Sequence, residues 1–363
     1  MNKEHIILWI MLILVILIIP SCTNSNSKNP DYVPSSKEIP NMDGEINIIS
    51  SEKNIKRITT DQLYAKGKTV KLEDMIDEKI HKALVIGALG QVEEIEEDGY
   101  FEAISNSIAY IYGDGKQRIE NVKGVIINPP ANSITDSYYD IAHFLEEENV
   151  LCFLLDGFGY HQYKYAIETG YIPFLEKQPE AAKALSVYRP VTNAGLAAII
   201  TGKLPIENGV YSRKQRELQV DSIFKKAKDL DKKSIYIEGD IGILNTEIDP
   251  VLNIDKDGDG FTDDEVFEST LNAINKDYNL VFVHFHGIDD AGHTHGDLSS
   301  ETMEVITKID RYLEELVSNW DGKVIITADH GMHSTEGGGD HGQFRYEDMI
   351  VPYIIIGRGN PLE

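Results

Sequence analysis

Five short apolar runs punctuate the chain from residue 150 onward: Val150–Leu155, Ser234–Ile237, Leu280–Phe285, Lys323–Ile326 and Tyr353–Ile356. They are apolar almost throughout rather than alternating, the pattern of strands covered on both faces, as in a parallel sheet. Between them lie helical spacings at Ala194–Ile200, Asp264–Ile274 and Ser299–Val317. Strands alternating with helices restrict this part of the chain to an open α/β architecture, a mainly parallel sheet flanked by helices. In such sheets functional residues gather just beyond the carboxyl ends of the strands.

The preceding stretch has a different texture. Over residues 46–137, short runs such as Lys82–Ile86 and Val122–Ile127 are split by turns at Asp98-Gly99 and Gly113-Asp114-Gly115. This reads as a small β-rich domain, and it carries no convergent set of reactive residues. Residues 23–45 are polar with three prolines, a flexible tether. Residues 1–22 begin with Lys3, continue as an unbroken apolar run from Ile6 to Ile19, and end in Ile19-Pro20-Ser21-Cys22. That run makes only about 21 Å of helix, short for a bilayer core of about 30 Å. A lipoprotein-type signal peptide is therefore expected, with Cys22 as the lipidation site and an uncleaved anchor as the alternative. Either reading puts the α/β part, residues 138–363, on the extracytoplasmic face of a bacterial membrane. Cys152, inside an apolar run, reads as a buried small hydrophobe.

The net charge of −26 makes nucleic acid a poor electrostatic partner. The chemistry must then come from particular residues. Asp156 follows the first apolar run directly, and Thr192 precedes a helical run, where backbone N–H groups favour an anion. Alone, these are a turn aspartate and a helix cap. Leu280–Phe285, however, leads into His286-Gly287-Ile288-Asp289-Asp290-Ala291-Gly292-His293, where Asp289 and His293 bracket a glycine-containing turn. Lys323–Ile326 leads into Thr327-Ala328-Asp329-His330-Gly331-Met332, and Asp340-His341-Gly342 follows. Seven of eleven histidines (His284, His286, His293, His295, His330, His333 and His341) fall within 58 residues. Carboxylate and imidazole gathered at strand ends is a metal-ligand set.

Together, Asp156, Thr192, Asp289-x-x-x-His293, Asp329-His330 and His341 resemble the alkaline phosphatase superfamily, in its nucleotide pyrophosphatase/type I phosphodiesterase-like branch. The resemblance covers roughly residues 148–360. It implies one zinc among Asp156, Thr192, Asp329 and His330, and a second held by Asp289, His293 and His341. Manganese or iron would suit the same mixed donors. It further implies that Thr192 is a nucleophile made reactive by metal coordination, giving a phosphothreonine intermediate in the cleavage of phosphate esters. The substrate would be a small-molecule or lipid-linked ester, the enzyme a phosphodiesterase or phosphatase.

Three departures widen the field. Arg213 stands where the pyrophosphatases keep a phosphate-binding asparagine, Asn193 follows the nucleophile as in phosphonoacetate hydrolases, and His341 lies only eleven residues after His330, closer to ethanolamine-phosphate transferases. Arg213 and Asn193 are accordingly candidate catalytic residues, for phosphate and oxyanion binding, and Lys214, Tyr160 and His161 candidate walls of the substrate pocket. Phosphotransfer, phosphonate hydrolysis, or a non-catalytic binding lipoprotein are the alternatives. Sulfatase activity is disfavoured, because no Cys/Ser-x-Pro-x-Arg segment is present.

A separate motif runs from Asp255 to Glu265. Asp255, Asp257, Asp259 and Asp263 occupy positions 1, 3, 5 and 9 of an EF-hand-type calcium loop, with Phe261 at the carbonyl position 7. Position 12 is Val266, so the usual bidentate glutamate is missing or displaced. A calcium loop and a plain acidic helix cap are both compatible with this pattern.

Overall fold

The computed structural model describes residues 44–357. The apolar segment Ile6–Ile19, Cys22 and all but the end of the expected tether lie outside the described residues. Among the described residues, no helix is long and apolar enough to cross a membrane.

The α/β part is built on an eight-stranded sheet. Its strands are β10 (Asn132–Ser133), β11 (Val150–Leu155), β12 (Ala182–Leu185), β13 (Ser234–Glu238), β14 (Val251–Leu252), β15 (Leu280–Phe285), β16 (Lys323–Thr327) and β19 (Ile350–Ile356). Their order is β10-β12-β19-β16-β11-β15-β13-β14. β11 sits between β15 and β16, parallel to both, and all six of its side chains are buried. An apolar run without alternation is what such a doubly covered strand requires. One expectation is corrected here: β19 runs antiparallel to both β12 and β16, not parallel. An antiparallel strand can be equally buried on both faces, so composition did not reveal its direction.

The helices that matter for the site are α1 (Asp136–Phe144), α2 (Tyr160–Thr169), α3 (Thr192–Thr201), α4 (Ile223–Asp229), α5 (Asp263–Ile274), α6 (Gly287–His295) and α7 (Ser300–Ser318). α7 is capped by Ser299, whose hydroxyl accepts the Thr302 N–H at 3.1 Å. It buries Met303, Ile306, Ile309, Leu313 and Leu316 along one face. α3 is buried at every position and stops at Gly202 in the left-handed conformation.

The β-rich part contains two sheets. One has the order β2-β1-β9-β4-β5, from Asn54–Thr59, Glu45–Ser50, Val122–Ile127, Ala83–Gly87 and Val92–Glu94. The other has the order β3-β6-β7-β8, from Thr69–Val70, Tyr100–Ile104, Ser107–Tyr112 and Gln117–Ile119. Ile46, Ile48, Val85, Val125 and Ile127 of the five-stranded sheet join a core with Phe101, Ile108 and Tyr110 of the smaller sheet. Ile49, Ile86 and Ile126 instead join the core of the α/β part. The five-stranded sheet is thus buried on both faces, and the described residues all fall within one compact unit. The closest approach is at Gly124, where a Cβ would lie 1.9 Å from the Phe344 ring. Only glycine admits that ring. Beside it, Asn54 donates to the Glu347 carboxylate at 2.8 and 3.0 Å and accepts the Tyr346 N–H at 2.8 Å. The β-rich part therefore braces residues 344–347, the segment just after His341.

Candidate metal centre

The expected residues come from separate elements and meet at the carboxyl edge of the sheet. Asp156 leaves β11 with its N–H held by the Phe285 carbonyl at 2.9 Å. Asp329 and His330 follow β16, and His341 follows the short hairpin of β17 (His333–Thr335) and β18 (Gly338–Asp340). The segment bearing Asp289 and His293 is not the expected turn. It is α6, so the two residues lie one helical turn apart on one face. Thr192 opens α3, whose Gly195 packs so closely on Asp329 that a Cβ would lie 2.6 Å from the Asp329 carbonyl oxygen. Its small size brings the hydroxyl to the cluster.

Thr192 Oγ1 lies 3.4 Å from His330 Nε2, which is itself 3.3 Å from Asp156 Oδ1 and 3.5 Å from Asp329 Oδ2. His341 Nε2 is 3.5 Å from Asp289 Oδ1, and His293 Nε2 is 3.3 Å from Asp289 Oδ2. Asp156, Asp329 and His330 can offer donor atoms within 4.8 Å of one another, and so can Asp289, His330 and His341. His330 therefore stands between the two groups.

The donors are also oriented. The Nδ1 atoms of His330, His341 and His293 lie 3.0, 2.9 and 3.0 Å from the backbone carbonyls of Gly331, Pro190 and Gly339. A carbonyl only accepts, so each Nδ1 carries the proton, and a neutral ring then presents the Nε2 lone pair to the cluster. Asp329 Oδ1 accepts the N–H groups of Gly157 and His330, at 3.3 and 2.9 Å. Asp156 Oδ1, Asp289 Oδ1, Asp329 Oδ2 and His293 Nε2 are buried with no hydrogen-bond partner. Buried polar atoms are normally satisfied; these converge on one place, so the residues fit a divalent cation.

Charge balance argues the same way. Burial and then the Asp156 carboxylate push Asp329 up to about 7. Burial opposes a charge on His330, yet Asp329 and Asp156 push it up to about 10. Burial and then His330 push His341 down to about 3, keeping it a neutral ligand. Such a cluster is short of positive charge.

Residues 254–360 match the Metalloenzyme superfamily. The matched segment carries Asp289, His293, Asp329, His330 and His341. Two curated relatives illustrate the likeness. GPI ethanolamine phosphate transferase 1 of Mus musculus is 33% identical over 100 residues, which is 25% of this chain and 10% of that protein. The catalytic subunit of human GPI ethanolamine phosphate transferase 2 is 24% identical over 185 residues, 46% of this chain and 18% of that protein. The chain thus spans a fifth or less of the length of these relatives. Among solved structures, phosphonoacetate hydrolase of Sinorhizobium meliloti aligns at 18% identity and TM-score 0.43, covering 53% of this chain and 59% of that one. Murine ectonucleotide pyrophosphatase/phosphodiesterase 5 aligns at 18% identity and TM-score 0.42, covering 52% and 59%.

Around the cluster, the structure gives roles to residues that the sequence pattern left without one. His284 and His286 approach Asp156 Oδ2 at 3.3 and 3.2 Å, and His284 Nδ1 meets the buried Glu238 at 3.0 Å. Burial opposes charge on His284, but hydrogen bonds to Asp156 and Glu238 push it up to about 10. The signal was available: His284 and His286 are two apart at a strand end, and Glu238 closes an apolar strand as Asp156 nearly does. Asp348 binds His333 Nδ1 at 2.6 Å and accepts the Gln343 N–H at 2.9 Å, steadying the segment after His341. No local pattern announced it.

Other expected residues sit differently. Both hydrogens of the Asn193 side-chain amide are spent on the Gln215 and Ile243 carbonyls, at 3.0 and 3.2 Å. In this structure Asn193 is a strut rather than an oxyanion donor. Arg213 donates to His341 Nε2, the lone pair that faces the cluster. A cation there requires the guanidinium to turn into the adjoining cavity of about 310 Å³, lined by Arg189, Val191, Ser212, Lys214, His293 and Asp340. Tyr160 is a core residue, not a pocket wall, and His161 is bound to Asp297 at 2.6 Å. Asp263 is corrected as a calcium-loop ligand: its oxygens accept the His286 and Gly287 N–H groups, at 2.9 and 3.0 Å. It caps α6, because the N-terminal N–H groups of that helix need an acceptor.

Proposed function

We propose that the protein is an envelope-anchored, metal-dependent hydrolase of phosphate esters, acting through a phosphothreonine intermediate on Thr192. The observation that carries this is the convergence of unpartnered donor atoms from Asp156, Asp289, Asp329 and His293 beside a threonine hydroxyl at a helix N-terminus. Asp156, Thr192, Asp329 and His330 would hold one ion and Asp289, His293 and His341 the other, with zinc suited to the mixed donors and manganese or iron to the same geometry. Bound there, the ions supply Lewis acidity and lower the pKa of a coordinated hydroxyl or water.

The residues do the rest. Thr192 Oγ forms the bond to phosphorus as the ester oxygen leaves with its bonding pair; water then cleaves the phosphothreonine and restores the hydroxyl. The first-turn N–H groups of α3 favour the phosphoryl oxygens. Arg213 and Lys214, lining the cavity beside His341, bind the remaining charge of the ester. Burial of the cluster excludes bulk water and strengthens each of these interactions.

Transfer of the phosphoryl group to a hydroxyl acceptor instead of water is the second reading. It is favoured by the likeness to the ethanolamine phosphate transferases and by the eleven-residue spacing of His330 and His341. A lipid-linked substrate would agree with membrane anchoring through Cys22. The experiment is to purify protein lacking residues 1–22, measure its metal content, and assay bis-p-nitrophenyl phosphate and p-nitrophenyl phosphate beside Thr192→Ala. About two zinc per chain and diester turnover lost in the variant are expected. Monoester preference would make it a phosphatase, and bound metal without cleavage of either ester would favour transfer or phosphonate hydrolysis. Failure to bind metal after reconstitution would overturn the enzyme reading in favour of a binding lipoprotein.

A further inference from the structure

The loop Asp255–Glu265 takes no part in that chemistry, yet it has the features of a second kind of metal site. We propose that Asp255, Asp257, Asp259, Asp264 and Glu265 bind one calcium ion, in a loop whose acidic anchor is Glu265 rather than a residue at position 12. Asp255, Asp257 and Asp259 can offer oxygens within 4.8 Å of one another, and Asp257, Asp264 and Glu265 can do the same. Asp257 belongs to both groups and joins them.

The independent pointer is Glu265. It is only 4% exposed, and its Oε2 has no hydrogen-bond partner. Its Oε1 accepts the Lys256 N–H at 2.7 Å, which fixes the carboxylate toward the loop. Asp264 Oδ1 is likewise buried without a hydrogen bond. A buried carboxylate oxygen facing other carboxylates is unfavourable unless a cation meets it. The nearest protein cation, Lys308, hydrogen-bonds Asp259 at 3.4 Å and stands 3.9 Å from Asp264 Oδ1. One ammonium does not balance five carboxylates.

The donor set selects the ion. All donors are oxygen, which suits a hard cation and not zinc. Five carboxylates and the Phe261 carbonyl, from the loop and the first turn of α5, can supply the six to eight oxygens calcium takes, whereas magnesium demands a tighter octahedron. The position also has a consequence. Asp263, the first residue of α5, caps α6, and α6 carries Asp289 and His293. Ordering the loop therefore steadies the helix that supplies two donors of the other site.

The test uses zinc-loaded protein lacking residues 1–22, so that calcium cannot simply fill the strand-end cluster. Equilibrium dialysis with calcium should give one ion per chain, and saturating calcium should raise Tm by roughly 5 °C, with magnesium giving little. Asp257→Asn, at an exposed position, and Glu265→Gln, which keeps an acceptor for Lys256 N–H, should lose both responses while retaining wild-type zinc content and circular dichroism. Absence of calcium uptake by the wild type, uptake unchanged in the two variants, or an equal response to magnesium would each overturn the assignment.

Discussion

At the strand ends, Asp156, Asp289 and Asp329 are buried among His284, His286, His293, His330 and His341; in the loop at 255–265, Asp255, Asp257 and Asp259 stand exposed with Lys308 beside them. Both regions gather carboxylates, but the second ties its donors largely within its own loop, whereas the first ties them to separate elements of the fold. There three imidazoles are tied through Nδ1 to backbone carbonyls, and Asp329 is tied through one oxygen to two N–H groups. In the loop, Asp255 accepts the Gly258 and Gly260 N–H groups and Asp259 that of Phe261, contacts within one exposed segment. Mixed nitrogen and oxygen donors held beside the Thr192 hydroxyl suit a borderline metal. Adaptable oxygen donors suit a structural hard cation. Asp263 connects the two, since it belongs to the loop by sequence and to α6 by its hydrogen bonds.

The largest expected effect separates the regions outright. Thr192→Ala should lower ester turnover by about a thousandfold or more, since it removes the proposed nucleophilic hydroxyl. Its calcium-dependent rise in Tm should remain; turnover within tenfold of wild type would remove Thr192 from the mechanism. A zinc-selective chelator should likewise abolish turnover and leave the calcium response in place.

Next comes the brace on the strand-end cluster. Phe344→Ala should destabilise the fold by about 3–4 kcal/mol in urea unfolding, because the ring fills the space over Gly124. Zinc affinity should fall with it, as His341 lies three residues before. An unfolding free energy unchanged within about 0.5 kcal/mol would show that the five-stranded sheet does not hold this segment.

A smaller effect is expected from Asp348→Asn, which weakens the contact with His333 and the Gln343 N–H. Zinc affinity, measured by competition with a chromophoric chelator, should drop about tenfold to a hundredfold. Calcium affinity should not move, and parallel losses of both would mean general loosening rather than a role specific to the cluster.

The smallest effect lies in the coupling. Glu265→Gln should reduce turnover at saturating zinc by no more than about threefold, since α6 keeps its Asp263 cap and the loop acts on it indirectly. A loss approaching that of Thr192→Ala would make the loop part of the catalytic machinery and dissolve the contrast between the regions.

Much of this was open to a reader of the sequence. The unbroken apolar run Val150–Leu155 required a doubly covered strand, and Asp156, Asp329 and His330 follow strands because that is where loops of an open α/β sheet converge. Residue chemistry and spacing thus determined the architecture, the residue types of the cluster and the acidic character of the 255–265 loop. The tertiary structure decided what local pattern leaves open. It ran β19 antiparallel, since burial on both faces is blind to direction. It made Gly287–His295 a helix despite two glycines, because Asp263 from another element supplies the cap. It spent the Asn193 amide on distant carbonyls, and it set the β-rich sheet against Phe344 behind His341. Each of these rests on hydrogen bonds or packing between residues far apart in the chain, and such contacts exist only once the long-range packing of the fold has been made.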